Sequence, residues 1–396
     1  MELPPVFQQL QLPLLALNLI FATGFKPGFL RILLTFPTLI LLFTQSIYRK
    51  EFMYYGVAYP MNVAACCFLF SYLDQILLAS PDKERWHKIQ YDGKGKVDDN
   101  NGKIDAVPST FLGRIWWGIR ISTTTRFTGW SQQVKNVQME VPANYPRWQF
   151  IVRKSLRAAF FFVLSDTIQS WTASTPHGSY RGYENGKVPI SLTGLPLIQQ
   201  CFYSWVQIVL TYTVLELYNV VYGIVSVLSG LANPRDCPSL FTDLRGMYTV
   251  RNSWSLVWHQ QCRRACSSPS IFLARDVLHL KKGGFASKYL QLFMGFAISG
   301  IVHAGGSMLV YKSWTKDNAA MACFLAQAAA IMFEDHVIDF GRYIGLRDSP
   351  VWRTMGYVWV LVWFGLSTIG YTSAILDSGL WIHAKQFDFF GIGPQA

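Results

Sequence analysis

His303 stands in the middle of an apolar run with no Asp, Glu, Lys or Arg, Tyr289–Tyr311 (YLQLFMGFAISGIVHAGGSMLVY). As a helix the run is ~35 Å long, enough to cross a bilayer core of roughly 30 Å. An ionisable side chain at that depth costs roughly 2.5 kcal/mol or more when charged, so its presence points to a use. A neutral imidazole shielded from bulk water can still take a proton from a substrate hydroxyl, which makes His303 a candidate general base. The plainer alternative is a histidine locked by a hydrogen bond to a neighbouring backbone carbonyl. Ser299 and Ser307 are near in sequence, yet nothing marks either as an activated nucleophile.

A second group of polar residues precedes it in LRGMYTVRNSWSLVWHQQCRR, Leu244–Arg264. At about 100° per residue, a helix there puts Asn252, Ser255, His259 and Arg263 on one face, with Trp254, Trp258 and Ala265 opposite. Periodicity alone reads equally as an interfacial helix, with Trp in the headgroups and Arg on phosphates. His259, Cys262, Cys266 and His279 lack the CxxC pairs of a structural zinc site, so no metal is expected.

The elements that position these residues are set by composition. Of 396 residues, 51% are hydrophobic and only 15% charged, against roughly 25% charged in soluble chains. The 14 Trp and 19 Tyr suit interfacial belts. An all-α polytopic membrane protein follows. Apolar runs occur at Leu10–Thr23, Leu30–Ile47, Tyr59–Ala79, Leu156–Trp171, Ile198–Leu231, Tyr289–Tyr311, Ala319–Phe340 and Val351–Leu376. The fifth, ~50 Å as helix, is either two spans or one long tilted helix, so about eight to nine transmembrane helices are expected. Residues 1–396 read as one domain with two insertions, 80–154 and 232–288. The first begins with a Gly/Asp/Asn/Lys-rich loop and continues into an aromatic segment around Trp116, Trp117 and Trp130, expected on the membrane surface.

The net charge of +12 resides in segments between the apolar runs. Residues 82–154 hold 13 Lys/Arg against 7 Asp/Glu, and residues 243–288 hold 8 against 2. That is the positive-inside pattern of cytosolic loops, and it argues against nucleic acid as a partner. Seven scattered cysteines are no disulfide framework.

Four segments in chain order carry a resemblance. They are RFTGWSQQVKNV (Arg126–Val137), LRGMYTVRNSWSLVWHQ (Leu244–Gln260), SGIVHAGG (Ser299–Gly306) and QAAAIMFEDHVI (Gln327–Ile338). Together they resemble the membrane-bound O-acyltransferase superfamily, more narrowly the wax-synthase-domain branch found among fungal acetyltransferases of terpenoid and meroterpenoid pathways. The chain departs from that pattern at Ser253, Val257 and Phe127-Thr128. The resemblance implies helices around a membrane-embedded tunnel, in which an acyl group passes from an acyl-CoA to a hydroxyl. It carries the catalytic histidine onto His303 and the second motif position onto His259. Asn252, Trp254, Trp258 and Gln260 would border the substrate, with His259 or Asn252 donating to the oxyanion. Arg245, Arg251, Arg263, Arg264, Lys281 and Lys282 would meet the CoA phosphates, unless they only express the positive-inside bias.

The resulting expectation is a multi-pass enzyme of the endoplasmic reticulum with no bound cofactor. It would use acetyl-CoA as co-substrate and a hydrophobic terpenoid-like alcohol as acceptor, in secondary metabolism. A long-chain wax-ester or sterol-ester synthase is the alternative of the same chemistry. A proton-coupled transporter is the alternative of another class, but no internal repeat supports it. Soluble acyl-transfer signatures such as GxSxG are absent from the sequence.

Overall fold

The structure, a computed structural model, describes residues 2–49, 55–79, 81–92, 107–124, 126–178, 192–314, 319–377, 379–382 and 389. His383 and most of the Gly/Asp-rich loop lie outside the described residues. Among the described residues all regular structure is helical, apart from one isolated bridge, Lys88–Trp130. In chain order the helices are α1 (Pro5–Gln9), α2 (Gln11–Gly24), α3 (Phe29–Tyr48), α4 (Tyr55–Tyr72), α5 (Phe111–Ser122) and α6 (Arg147–Ser174). They continue with α7 (Leu197–Leu228), α8 (Arg263–Phe272), α9 (Phe285–Tyr311), α10 (Ala320–Tyr343), α11 (Pro350–Ser367) and α12 (Ile369–Asp377).

Five stretches among the described residues are long and apolar enough to cross a membrane: α3, Val57–Leu78, α7, α9 and α10. The pair α11 and α12, bent by 42°, makes a sixth if taken as one span. Eight or nine were expected, and two of the runs counted lie in helices of another kind. Leu10–Thr23 falls in α2, which at 14 residues is only ~21 Å long. Leu156–Trp171 falls in α6, which also carries Arg153, Lys154, Arg157 and Asp166. The over-long fifth run is one unbroken helix, α7, of 32 residues.

Helices α2 and α3 share with the Val57–Leu78 span an apolar core of Leu15, Leu19, Leu39, Leu42, Tyr72 and Ile76. Polar side chains lock it: Gln11 Nε2 donates to the Leu42 carbonyl at 2.8 Å, and Asn18 Nδ2 to that of Thr35 at 3.0 Å. Inside a bilayer, such bonds replace the missing hydrophobic drive between helices. The first insertion folds inward: Trp117 and Trp130 are buried with Trp86 and Phe127, and Trp116 alone of the three expected at the surface is exposed.

Helix α9 starts after the Gly283-Gly284 turn and ends at Lys312 in the left-handed region. It packs between α4 and α10. Gly306 permits the approach to α4, since a Cβ there would meet Val63 Cγ2 at 2.6 Å and the Tyr59 ring at 3.2 Å. This close packing brings Tyr59 to the face of α9 that carries His303.

Candidate active site

The Nδ1 atom of His303 lies 3.0 Å from the Tyr59 hydroxyl and 2.9 Å from the Tyr371 hydroxyl. The two hydroxyls are 2.7 Å apart, so the three polar atoms form a closed triangle. Phe324 of α10 stacks on the imidazole, with centroids 4.8 Å apart and planes 14° apart. Nε2 has no hydrogen-bond partner among the described residues, and the ring is half-buried. The nitrogen left open is the one that can meet a substrate.

The motif segment reaches this corner through aromatic rings. Trp258 contacts His259 at 5.6 Å between centroids and Trp254 at 5.9 Å. Trp254 in turn contacts Phe324 at 5.9 Å, against the His303 ring. The two histidines are therefore joined by a continuous aromatic wall.

The segment is not the single helix that periodicity suggests. A 3-10 turn at Leu244–Gly246 gives way to Val250–Asn252, capped by Thr249 Oγ1 accepting from the Asn252 N–H at 3.0 Å. A widened turn, Ser253–Val257, closes when the Trp258 N–H donates to the Ser253 carbonyl at 2.7 Å, and the backbone then runs extended. Widened turns of this kind often occur at functional sites. Trp254 consequently packs among Phe296, Phe324 and Phe364 instead of facing headgroups.

Supports from α10 and from the first insertion hold the turn. Glu334 of α10 accepts from the Val250 N–H at 2.6 Å, the Arg251 N–H at 3.0 Å and Trp359 Nε1 at 2.8 Å. Gln327 Oε1 accepts from Trp363 Nε1 at 2.9 Å and Trp254 Nε1 at 3.5 Å. From the first insertion, Asn136 Nδ2 donates to the Ser255 carbonyl at 3.1 Å. Buried Arg126 donates to the carbonyls of Ser239 and Pro238, both at 2.9 Å. The RFTGW…VKN and Glu-Asp segments thus act as struts for the motif.

Gln260 is committed as well. Its Nε2 donates to the carbonyls of Trp254 (3.0 Å) and Trp258 (2.6 Å), so its amide hydrogens brace the turn and are not left for an oxyanion. Asn252 is half-buried, and no side-chain hydrogen bond occupies it among the described residues.

His259 Nδ1 is buried and has no hydrogen-bond partner among the described residues. Burial first, then His303 and Arg126 nearby, push the His259 imidazole down to about 3. It is therefore neutral at any working pH and can act only as a neutral donor or acceptor. The unfolded chain protonates this histidine near its ordinary 6.5, whereas the folded chain resists until about 3. Its contribution to stability is therefore full above pH 6.5 and falls as the pH drops toward 3. His259→Asn is expected to lose less melting temperature between pH 7 and pH 5 than the parent, measured in detergent; parallel losses would contradict the assignment.

The six basic residues do not form one free cluster. Arg245 pairs with Asp243 at 2.6 Å, Arg251 with Asp335 at 2.5 Å and Arg264 with Asp74 at 2.8 Å. Arg264 also lies over the Trp86 ring at 4.3 Å. Arg263 donates to the Ser255 carbonyl at 3.0 Å and to Gln260 Oε1 at 2.8 Å. Lys281 and Lys282 are exposed and carry no partner among the described residues.

The membrane bound O-acyl transferase family matches residues 237–326, the stretch that holds the motif turn, His259 and His303. Acetyltransferase sirH of Leptosphaeria maculans is 44% identical over 392 residues, covering 98% of this chain and 96% of its own. The chain belongs to the membrane-bound O-acyltransferase family. Acetyltransferase ple2 of Rhodocybe pseudopiperita is 29% identical over 68% of each chain. Acetyltransferase eriL of Hericium erinaceus is 30% identical over 63% of this chain and 64% of its own. No solved structure matches. The protein is an integral, multi-pass O-acyltransferase, an enzyme of acyl donors and alcohol acceptors.

Sequence reasoning passed over Tyr59, Tyr371 and Phe324, which surround the imidazole of this acyltransferase. Nothing in one dimension distinguishes a tyrosine in an apolar run from an ordinary packing residue.

Proposed function

We propose that the protein transfers an acetyl group from acetyl-CoA to a hydroxyl of a hydrophobic, terpenoid-like alcohol, with His303 as the general base. The observation that carries this reading is an imidazole at mid-span, held through Nδ1 and open at Nε2. The acetyl donor rests on relatives named acetyltransferases. An endoplasmic reticulum membrane, a lateral route for the acceptor and a cytosolic entry for the donor complete the proposal, with residues 1–396 as one catalytic unit.

In the reaction, the acceptor oxygen attacks the thioester carbonyl as its proton passes to His303 Nε2. A C–O bond forms, and the carbonyl oxygen takes the negative charge. Neutral His259 or the Asn252 amide donates a hydrogen bond to that oxyanion. The intermediate collapses by breaking the C–S bond, and the CoA thiolate takes the proton back from the imidazolium. Products are the ester and CoA thiol, with no covalent enzyme intermediate. Trp254 and Trp258 wall the chamber, and Lys281 with Lys282 are the cations left for the CoA phosphates.

The test is ester formation by microsomes containing the protein, supplied with labelled acetyl-CoA or palmitoyl-CoA and a pool of terpenoid alcohols. At least tenfold faster turnover with acetyl-CoA is expected. Turnover with palmitoyl-CoA alone would replace this reading with a wax-ester or sterol-ester synthase.

A further inference from the structure

We propose that Tyr59 and Tyr371 are a redundant pair of positioning residues that hold His303 in the tautomer carrying its proton on Nδ1. This rests on His303 being the base. A neutral imidazole has one N–H, so Nε2 can accept a substrate proton only while Nδ1 holds that hydrogen. Nδ1–H then needs an acceptor, and in catalytic histidines a carboxylate commonly supplies it. Among the described residues no carboxylate is hydrogen-bonded to His303; the two phenolic oxygens, at 3.0 and 2.9 Å, stand in that place.

With the hydrogen on Nδ1, either phenolic oxygen can accept it while the hydroxyls also bond each other at 2.7 Å; with the hydrogen on Nε2, a hydroxyl would donate to Nδ1 instead. A substrate hydroxyl donating to Nε2 selects the first arrangement. Ring packing fixes the plane as well. Phe324 stacks on one side of the imidazole, while the Tyr371 ring meets it at 81° with centroids 5.7 Å apart.

Because the hydroxyls come from α4 and α12, separate helices that both reach α9's histidine, loss of one leaves the other. Both are neutral groups. They fix orientation without stabilising the imidazolium as a carboxylate would, which favours prompt return of the proton to the CoA thiolate.

The experiment compares Tyr59→Phe, Tyr371→Phe and the double variant, in the parent and in His303→Ala, with acetyl-CoA and the terpenoid alcohol pool. Each single change is expected to lower kcat about threefold and the double change about 100-fold. KM for acetyl-CoA and melting temperature should hold, and in the His303→Ala background the double change should cost nothing further. A double variant with kcat within twofold of the parent would overturn the inference while leaving the base assignment intact. So would an equal loss of rate or melting temperature in both backgrounds, which marks a packing role. If the double variant does not accumulate, the single variants decide: a change in KM with unchanged kcat overturns the proposal. Retained activity in His303→Ala alone would instead remove the base assignment on which it stands.

Discussion

His303→Ala is expected to lower ester formation by about 10²–10⁴-fold, the usual contribution of a positioned general base. The fall should appear in kcat, because in the proposed role the imidazole acts on the proton released only as the acceptor oxygen attacks. On the proposed reading, in which Lys281 and Lys282 meet the donor's phosphates, acetyl-CoA binding should persist. Overall stability should change little: the ring is half-buried, and its removal frees two hydroxyls that already bond each other at 2.7 Å. Ester formation at matched protein level decides the matter, and undiminished turnover would make His303 structural.

Glu334→Ala should be nearly as damaging for a different reason. One carboxylate receives three donors, from the Val250 and Arg251 backbone and from the Trp359 indole. Removing it strands buried N–H groups, at about 1–3 kcal/mol for each left unsatisfied. The turn that carries Trp254, Trp258 and His259 then loses its tie to α10. Both melting temperature and turnover should fall, turnover by about 100-fold or more, whereas Glu334→Gln keeps one acceptor oxygen and should recover part of each. An alanine variant with parental melting and turnover would show that the turn holds by other means.

The sequence exposed His303 because a polar group in an uncharged run stands out in one dimension. Trp254, Trp258 and His259 were legible as a motif but not as a shape. Applying 100° per residue across Leu244–Arg264 fails because helix begins only at the Thr249 cap and then widens at Ser253–Val257. A widened turn adds a residue to the repeat, so every later side chain rotates off its projected face. The pairing of the basic residues was hidden for a related reason. Its neutralising partners, Asp74 and Asp335, are 190 and 84 residues from Arg264 and Arg251. Long-range pairing also hid Tyr59 and Tyr371, 244 and 68 residues from the histidine they touch. The count of eight or nine spans and the five or six long apolar helices among the described residues part company at α2, which is short, and at α6, where charge is interleaved.

The 42° bend between α11 and α12 lies just before Tyr371, and Tyr59 comes from α4, so the groups around the His303 imidazole are supplied by elements far apart in the chain. The polar triangle is thus a property of the folded bundle and of no single helix: anything that straightens the bend or slides α4 along α9 would disperse it without altering any residue in it.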